Sequence, residues 1–453
     1  SDLCSDGVAL QVAPCVLAWN GQTAEKVYAC SDISSYVSAA LVGTGIAVEH
    51  VPSLGGLRKP WVQDFAEIGN TKHSNTSRIY PIIDLGHGGD ADWPSGVWAD
   101  DPVYGLVEEA MNGNGGTIET APPHENYCLG RIVTGSISVG GGLKTFLTKQ
   151  QVQASASGDL ISLDTSWLDV GHIDEVISFV ASGTGYAVLV PSPGYAVDIL
   201  HLLMENGQGS ARMHVGTDEN DEQDISVESL LIKGGGAAKT TLILAVDSNA
   251  LTLSLAQQVF ATGDFLRLDR EYVKVMEVNG NSVTVSRGQL DSTAAAHSAG
   301  CLIYALSPLV RHNLYRYGGP GDDALPGPRL CISDSVALLR NELAPSNPSS
   351  VNVIELPVIF KKNENLAFSA YTPNVVNCLV AGCKAIMCDP RGPDVGGVDF
   401  FRTSINQRLS GIISPEFIDG WSLHLDGGGI HCGTNTRRGE LLSVPWWEAW
   451  PCE

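Results

Sequence analysis

Residues 423–438 of the sequence read LHLDGGGIHCGTNTRR, where alternating apolar residues lead into three glycines and a His-Cys pair. Glycines let a backbone bend sharply and approach a ligand closely, so a thiol that follows them can meet a substrate. A free cysteine is nevertheless more often a small buried hydrophobe than a nucleophile. The stretch makes Cys432 a candidate nucleophile that needs a base, an orienting group and a substrate-binding charge from elsewhere in the chain.

The length and charge of the chain narrow the classes of protein. Its 453 residues are too many for one simple core and predict two or three structural units. The net charge of −23 argues against a nucleic-acid partner, which needs a basic surface. That charge suits a cationic substrate, and it equally suits a surface that is acidic only for solubility. No uninterrupted apolar run is long enough to span a bilayer, so we expect no membrane partner.

The cysteine content bears on location. Eleven cysteines are many for a reducing cytosol, and with the glycosylation triplet at residues 75–77 they favour an extracellular or secreted protein over a cytoplasmic one. If the others pair, an odd number leaves one thiol free, which fits Cys432. The first residues, Ser1 to Cys4, contain neither a Met nor an apolar signal region, so we expect a processed or truncated chain.

The alternation of strand-like and helix-like segments predicts an α/β fold. Strands are expected at residues 8–13, 43–51, 78–85, 130–134, 161–170, 173–181, 186–190 and 351–360. Helices are expected at residues 33–41, 143–152, 195–204, 333–343 and 400–409. Residues 218–224 and 318–328 are typical of loops, and the acidic run in the first of these lacks the turn glycine of a calcium loop.

Residues 234–306 differ from the rest because short β-rich runs follow one another there without helical spacing. Asn279-Gly280 between two such runs is a strong hairpin signal. A weak resemblance to a small β-module of phage-type structural proteins covers this segment alone. We expect an inserted all-β domain between residues 1–233 and 307–453, with an interaction role left open.

Residues 171–176 read GHIDEV, and their apolar positions suggest the start of a strand. Residues i and i+2 of a strand share a face, so His172 and Asp174 would point the same way, about 7 Å apart. A proton carrier would then lie beside a carboxylate. Taken alone, the motif favours a surface His-Asp pair.

Residues 61–69 read WVQDFAEIG and alternate in the same way. Gln63, Phe65 and Glu67 would face one side of a strand, and Asp64 the other. Two oxygen-bearing side chains on one face suit a hard cation such as Ca²⁺, and Asp64 would be left to bind substrate. The alternative is an edge strand with ordinary polar residues.

These stretches occur in an order that resembles the protein-arginine deiminases, members of the guanidine-modifying (pentein) superfamily. The matching segments are residues 61–64, 130–132, 151–153, 167–175 and 431–438, followed by Trp446-Trp447. The resemblance covers residues 8–233 and 308–449. It implies a pentein-type five-bladed, pseudo-symmetric α/β propeller whose catalytic parts, 1–233 and 307–453, enclose the β-rich insertion at 234–306.

The resemblance also implies roles. Cys432 would be the nucleophile, His172 the general acid and base, and Asp64 and Asp174 the carboxylates that hold the guanidinium, with Trp61 against its flat face. Carboxylates suit this task because each can bind the planar cation through a bidentate pair of hydrogen bonds. Arginine-containing peptides or proteins would be converted to citrulline and ammonia through a Cys-thiouronium intermediate.

A calcium site is implied as well. Its side-chain ligands would be Gln63, Glu67 and Glu119, and backbone carbonyls at Gly115 and Ile118 would complete it. A second family site looks damaged, because Phe65 stands where the family has an acidic ligand and only Asp84 remains as a partner. We therefore expect one Ca²⁺ and a calcium-dependent activity.

Three departures leave the substrate open. Members of the family bind the peptide backbone of the substrate through an arginine in the loop that follows the strand ending at Leu85. Residues 79–130 of this chain contain no arginine. The sequence of residues 427–432 resembles the agmatine deiminases more closely. In addition, Asp426 occupies a position where peptide-directed relatives tend to carry a basic residue. One alternative is therefore a deiminase of free arginine or agmatine. The other is a non-catalytic binding protein that uses the β insertion. The oligomeric state is left open.

Overall fold

The computed structural model describes residues 14–51, 61–72, 78–85, 104–107, 113–137, 140–155, 157–217, 224–315 and 326–439, together with Leu441 and Glu448. These residues form the α/β fold that the sequence predicts. The predictions for residues 8–13, 75–77, 218–223, 318–325, Trp446 and Trp447 lie outside the described residues.

The strands and helices are numbered here along the chain. The strands are β1 (Ala24–Cys30), β2 (Ala47–Val51), β3 (Ala66–Ile68), β4 (Thr71–Lys72), β5 (Arg78–Asp84), β6 (Tyr104–Val107), β7 (Ile118–Thr120), β8 (Ile132–Gly135), β9 (Ile161–Leu163), β10 (Ser178–Ser182), β11 (Gly185–Ser192), β12 (Arg212–Met213), β13 (Ile225–Ser226), β14 (Lys239–Thr241), β15 (Thr252–Ser254), β16 (Phe265–Leu268), β17 (Glu271–Asn279), β18 (Ser282–Gln289), β19 (Leu302–Ala305), β20 (Asn352–Pro357), β21 (Phe360–Lys362), β22 (Phe368–Ala370), β23 (Leu379–Ala381), β24 (Lys384–Cys388), β25 (Asp394–Val395), β26 (Val398–Asp399), β27 (Ser414–Ile418) and β28 (Thr434–Arg438). The helices are α1 (Ser34–Ala40), α2 (Gly141–Gln150), α3 (Pro193–Glu205), α4 (Val227–Leu231), α5 (Pro308–Leu314), α6 (Pro328–Leu343), α7 (Phe400–Leu409) and α8 (Trp421–Leu425).

One pairing pattern recurs in five sheets of the described chain. In each, a central strand pairs in parallel with one neighbour and antiparallel with the other. The sheets are β2-β1-β28, β6-β5-β3, β9-β8-β7, β20-β11-β10 and β27-β24-β23, and β4 also joins the second. Parallel neighbours need a crossover connection, and α1, α2, α3 and α7 each lie in one of these crossovers. A five-bladed propeller stays a prediction.

Helix α3 shows how local sequence builds these crossovers. The hydroxyl of Ser192 accepts a hydrogen bond from the backbone N–H of Tyr195 at 3.3 Å, and Pro193 occupies the first turn. Ala196, Leu200 and Leu203 are buried at helical spacing. The helix thus follows strand β11 directly and returns its apolar face to the core.

Residues 239–305 contain a six-stranded sheet in the order β14-β19-β16-β17-β18-β15. The predicted hairpin is present, since Asn279 pairs with Ser282 and Gly280 has a φ of 58°. Buried side chains of this sheet, among them Leu266 and Val273, form one continuous core with α3, α4 and α5. Whether residues 234–306 fold as a separate domain stays a prediction.

Two predicted strands begin later than expected, and the residues that are wrongly placed in strand lie at the candidate site. Val62–Phe65 and Ile173–Glu175 are single 3-10 turns, and strand begins only at β3 and β10. The second turn is closed by the Glu175 side chain, which accepts a hydrogen bond from the backbone N–H of His172 at 3.1 Å. Because such a turn rotates successive side chains by about 120°, the shared-face argument for His172 and Asp174 does not hold.

The structure bears on two predictions made from the sequence, the absence of membrane spans and the pairing of the cysteines. Within the described ranges, no helix combines the length and apolar character that crossing a membrane requires. Eight cysteines of the same ranges are free thiols, Cys432 among them, while Cys128 is disulfide-bonded. The condition that all the other cysteines pair is therefore not met.

Candidate active site

Cys432 lies in a glycine-rich turn between α8 and β28. Gly428 packs so closely on the ring of Trp61 that a Cβ atom there would lie 2.4 Å from it, and a Cβ on Gly429 would lie 2.6 Å from the Asn377 side-chain oxygen. Any larger side chain at either position would displace its neighbour. The glycines therefore bring the loop that carries Cys432 against Trp61 and Asn377.

The thiol of Cys432 is buried in a cluster of three reactive side chains. Its Sγ lies 3.3 Å from Asp174 Oδ2, and a ring nitrogen of His172 completes a group whose atoms all lie within 4.8 Å of one another. His172 is only 2% exposed and Asp174 only 1%. Buried polar atoms usually have hydrogen-bond partners, yet Asp174 Oδ1 and His172 Nδ1 have none within hydrogen-bond distance among the described residues. Both atoms remain available to a ligand.

The carboxylates around Cys432 control its protonation. Burial raises the pKa of the Cys432 thiol well above its ordinary value, and the negative charges of Asp174 and Asp64 raise it further. In the free protein the sulfur therefore carries its proton. A cation bound between the carboxylates would oppose this effect and favour the thiolate.

His172 lies between Asp64 and Asn114. The Asn114 side-chain nitrogen, Nδ2, lies 3.0 Å from His172 Nε2. The other ring nitrogen, Nδ1, faces Asp64 Oδ1 at 3.7 Å. Gly116 permits this arrangement, because a Cβ there would lie 2.4 Å from His172 Nδ1.

The turn that carries Asp64 is tied to the cysteine loop. The backbone N–H of Gln63 donates to the carbonyl oxygen of Cys432 at 3.0 Å. Asp64 itself accepts from the Gly116 N–H at 3.4 Å, and its side chain is 16% exposed. All five residues predicted for catalysis and substrate binding, Cys432, His172, Asp64, Asp174 and Trp61, thus belong to one connected region.

The predicted calcium ligands form a second group beside this region. The Gln63 side-chain N–H donates to Glu67 Oε1 at 2.8 Å. A Cβ on Gly115 would lie 2.0 Å from the Gln63 carbonyl oxygen and 2.9 Å from Glu67 Oε1, so the backbone of Gly115 packs directly against both. Ile118 begins strand β7 and Glu119 follows it, with Glu119 buried.

The charges of this group fit a hard cation. Burial raises the pKa of Glu67 well above its ordinary value, and the nearby Glu119 raises it further. Burial likewise raises the pKa of Glu119 to about 7, and Asp174 adds to the rise. Two buried carboxyl groups whose ionisation is disfavoured would be stabilised as carboxylates by a divalent cation, and their oxygens are ligands that Ca²⁺ prefers.

The residues of the second family calcium site do not form a comparable group of ligands in the described part of the chain. Phe65 is buried in the apolar core with Val62 and Ile68 rather than facing a polar pocket. The position where the family carries an acidic ligand is therefore part of the core. The side chain of Asp84 lies outside the described residues.

Two neighbours of the reactive group were missed from the sequence. Asn377 donates from Nδ2 to Cys432 Sγ at 3.0 Å, and its Oδ1 accepts from the Cys432 N–H at 3.2 Å. His431 contacts Asp174 Oδ2 at 2.9 Å through Nδ1 and lies 3.6 Å from Glu119 Oε1 through Nε2. The available signal for the first was an asparagine inside the apolar run of residues 375–381, where a polar side chain needs a buried partner.

A cavity of about 230 Å³ opens beside Asn377. Three acidic residues line it, Asp169, Glu175 and Asp426, against one cation, Lys361. Burial raises the pKa of Glu175 to about 8, and the adjacent Asp174 contributes to the rise. Glu175 is therefore uncharged near neutral pH, and Asp169 and Asp426 against Lys361 still leave the cavity with an excess of negative charge that suits a positively charged ligand.

A family model and individual relatives both match this chain to one family. The sequence model of the family "Protein-arginine deiminase (PAD)" matches residues 2–240 and 328–448. The chain is 24% identical over 479 residues to human protein-arginine deiminase type-4, with 98% of this chain and 57% of that protein covered. It is 22% identical over 480 residues to human protein-arginine deiminase type-3, with 100% and 58% covered. The chain thus spans somewhat more than half the length of these relatives.

A solved structure of similar extent is the C. jejuni agmatine deiminase. It matches with a TM-score of 0.44 and 11% sequence identity, covering 96% of this chain and 100% of that one.

Proposed function

Because the chain belongs to the protein-arginine deiminase family, we propose that it hydrolyses the guanidinium group of peptidyl-arginine to citrulline and ammonia. Its partners would be arginine-containing peptides or proteins. The observation that carries the proposal is the buried cluster in which Cys432 Sγ lies 3.3 Å from Asp174 Oδ2 and within 4.8 Å of a His172 ring nitrogen. Nucleophile, proton carrier and cation-binding carboxylate are the three parts that guanidine hydrolysis needs.

The guanidinium would be held between Asp64 and Asp174. Each carboxylate can accept two parallel N–H bonds, and Asp174 Oδ1 has an unused acceptor for one of them. The flat face of the cation would pack on Trp61, whose ring already closes the glycine loop. Bound in this way, the positive charge offsets the two carboxylates that keep the Cys432 thiol protonated.

The chemistry then follows in two halves. The Cys432 thiol loses its proton to His172, and the thiolate forms a bond to the guanidinium carbon. His172 gives that proton to the departing nitrogen, so that the C–N bond breaks, ammonia leaves and a thiouronium remains. A water molecule loses a proton to His172 and attacks the same carbon. The C–S bond breaks, His172 returns its proton to the sulfur, the remaining hydroxyl proton passes to solvent, and citrulline leaves.

We also propose that the activity depends on calcium. Gln63, Glu67 and Glu119, with the carbonyls of Gly115 and Ile118, would hold the ion. A bound Ca²⁺ would neutralise the buried carboxylates. Gln63 and Asp64 are neighbours in one turn, so ordering that turn would also fix the substrate carboxylate.

On the scale of the fold, we propose that the five recurring sheets are the blades of a pentein propeller around this site. Residues 1–233 and 307–453 would form the catalytic unit, and residues 234–306 the inserted β-domain. The recurrence of one parallel and one antiparallel neighbour in each sheet supports the blade assignment.

The acidic cavity beside Asn377 favours a second candidate, a deiminase of agmatine or free arginine. Agmatine carries an ammonium at the end opposite its guanidinium, and the charged Asp169 and Asp426 would lie near that end. A blocked arginine residue offers no charge to these carboxyl groups. The cavity therefore distinguishes the two candidates by charge.

The deciding experiment measures citrulline or ureido product and ammonia with a blocked arginine peptide, free arginine and agmatine. Each substrate is assayed with added Ca²⁺ and with a strong chelator, using Cys432→Ala as the blank. Turnover of the blocked peptide that is lost with chelator and in the variant supports the proposal. Turnover of agmatine alone would replace peptidyl-arginine as the substrate, and a rate unaffected by chelator would remove calcium.

A matched pair of variants separates the calcium proposal from simple loss of structure. Glu119→Gln keeps the size of the side chain but removes a ligand charge, so activity should need more Ca²⁺ or be lost. Glu364→Gln changes an exposed glutamate in the same way and should leave the calcium response unchanged.

A further inference from the structure

A second group of metal-ligating side chains lies in the six-stranded sheet. Asp269 follows β16, His297 lies in the connection from β18 to β19, and Cys301 immediately precedes β19. One ligand atom from each lies within 4.8 Å of the other two. We propose that Asp269, His297 and Cys301, called here the His297 cluster, bind a divalent transition-metal ion, for which zinc has the matching preferences.

The three side chains offer a donor set that suits zinc. A carboxylate oxygen, an imidazole nitrogen and a thiolate sulfur are the three protein ligands that Zn²⁺ takes, and no hard cation would select the sulfur. Three protein ligands leave a fourth tetrahedral position for water. His297 is buried, Cys301 is half-buried and Asp269 is exposed, so an ion can enter from solvent.

The other ring nitrogen of His297 also has a partner that suits metal binding. His297 Nε2 lies 2.9 Å from Glu271 Oε2, while Nδ1 faces Asp269 Oδ2 at 2.7 Å. Metal-binding histidines commonly donate their second N–H to a carboxylate, which fixes the tautomer and directs the remaining nitrogen to the ion. Here Glu271 would take that N–H and leave Nδ1 as the ligand.

Glu271 is itself held rigidly. Its carboxylate accepts hydrogen bonds from Arg287 Nε at 2.7 Å and from Arg287 Nη2 at 2.6 Å. The backbone N–H groups of Gly288 and Ala295 donate to it at 3.0 Å each. The carboxylate that orients His297 therefore cannot turn away to serve as a ligand.

The backbone positions the other ligands in advance. His297 and Val246 exchange two backbone hydrogen bonds of 2.9 Å, and the Cys301 carbonyl accepts from the Leu242 N–H at 3.0 Å. Strands β16 and β19, which lead into and out of the cluster, are paired with Leu268 opposite Ile303. Little conformational freedom remains to be lost when an ion binds.

A simple ion pair of protonated His297 with Asp269 and Glu271 would explain the nitrogens without a metal. The metal adds what that ion pair lacks, a direct role for the sulfur, whose atom lies within 4.8 Å of the ligand atoms of both Asp269 and His297. Binding of Zn²⁺ would release the thiol proton and the Nδ1 proton to solvent and give Asp269 and the sulfur a shared cation.

Cobalt(II) is the probe that tests this site, because a thiolate ligand gives it a sulfur-to-metal charge-transfer absorption. The full-length Cys432→Ala protein is used, since Cys432, His172 and Asp174 also bring three ligand atoms within 4.8 Å and would compete. We expect one equivalent of Co²⁺ to produce the charge-transfer band and tetrahedral d–d bands, and Zn²⁺ to abolish both. Zn²⁺ should also raise the melting temperature.

Further substitutions in the Cys432→Ala background assign the band. Cys301→Ser should remove the charge-transfer absorption, whereas Cys383→Ser, which alters an exposed thiol, should keep it. Asp269→Asn should weaken cobalt binding by about tenfold or more, since even the loss of an outer-shell partner commonly has that effect. If Cys301→Ser fails to fold, the Asp269→Asn affinity still decides the point. Absence of a thiolate band, or a band that survives Cys301→Ser, overturns the proposal.

Discussion

Asn377 holds Cys432 at two atoms, since its Nδ2 donates to Sγ at 3.0 Å and its Oδ1 accepts from the cysteine backbone N–H at 3.2 Å. One amide therefore fixes both the loop and the direction of the sulfur. A donor aimed at the sulfur also stabilises the thiolate that the buried carboxylates oppose. Asn377 is thus a positioning residue for the candidate nucleophile.

We predict that Asn377→Ala lowers kcat by roughly 10–100-fold, because a buried N–H loses its acceptor and the thiolate loses a donor. KM should change less, since the carboxylates that bind the guanidinium are untouched. Steady-state kinetics on whichever guanidine substrate is turned over measures both. Asn347→Ala, at an exposed asparagine, is the control. A normal kcat in the Asn377 variant contradicts the assignment.

A second prediction concerns the pH dependence of thiol reactivity. Burial and the charges of Asp174 and Asp64 raise the folded-state pKa of Cys432, so the thiolate fraction is small at neutral pH and grows only at strongly alkaline pH. Alkylation of Cys432 by iodoacetamide in the free protein should therefore still be rising above pH 9.

Peptide mass spectrometry can follow this reaction alongside the exposed Cys383 in the same sample. An alkylation rate at Cys432 that levels off near neutral pH would show that the thiolate already exists in the resting protein. The Asp64→Asn variant tests the cause, because removal of one opposing charge should move the curve to lower pH.

The sequence predicted candidate site residues that the structure places close together, but it did not predict the backbone that holds them there. Residues 61–69 and 171–176 alternate in polarity as strands do, yet each contains a 3-10 turn. Alternation of polarity predicts a strand only where apolar side chains are buried and polar ones are exposed. At a site lined by buried polar groups, that relation fails, so the alternation does not show which side chains share a sheet face. The turn at Ile173–Glu175 depends on the hydrogen bond from the His172 N–H to the Glu175 side chain, which a pattern of polarity cannot reveal.

Residues that contact the site from distant parts of the chain were not predicted, for a different reason. Asn377 lies 55 residues before Cys432, and its role follows from how two distant loops pack rather than from any local spacing. The helices at Pro193–Glu205 and Phe400–Leu409 were predictable because their apolar periodicity and end residues are local properties. The predictions succeeded where the deciding interactions lie within one element.

A third prediction links Glu175 to stability. Burial, reinforced by Asp174, raises its pKa from 4.5 to about 8. The unfolded chain therefore releases this proton as pH rises above about 4.5, while the folded protein keeps it until about pH 8, so folding loses stability across that interval. Glu175→Gln removes the titration and still offers an oxygen to the His172 N–H.

We expect the variant to lose less stability than the parent between pH 5 and pH 9, by about 1–3 kcal/mol. Chemical denaturation at both pH values measures the difference. Glu364→Gln, at an exposed position, should retain the parental pH dependence. Parallel curves for parent and Glu175→Gln would show that this carboxyl group is already ionised in the folded protein.

The last prediction uses the cavity beside Asn377 to separate substrates by charge. Asp426 lines that cavity and is exposed, so its charge acts through solvent and its effect on a bound cation is modest. Asp426→Asn should lower kcat/KM for agmatine by about 2–5-fold at low salt and leave that for a blocked, uncharged arginine derivative unchanged. The difference should shrink as ionic strength rises, because salt screens exposed charges. Asp334→Asn, an exposed aspartate on helix α6 outside this cavity, provides the comparison. An equal loss of kcat/KM for both substrates would mean that Asp426 supports the loop before Cys432 and does not contact the charged end of agmatine.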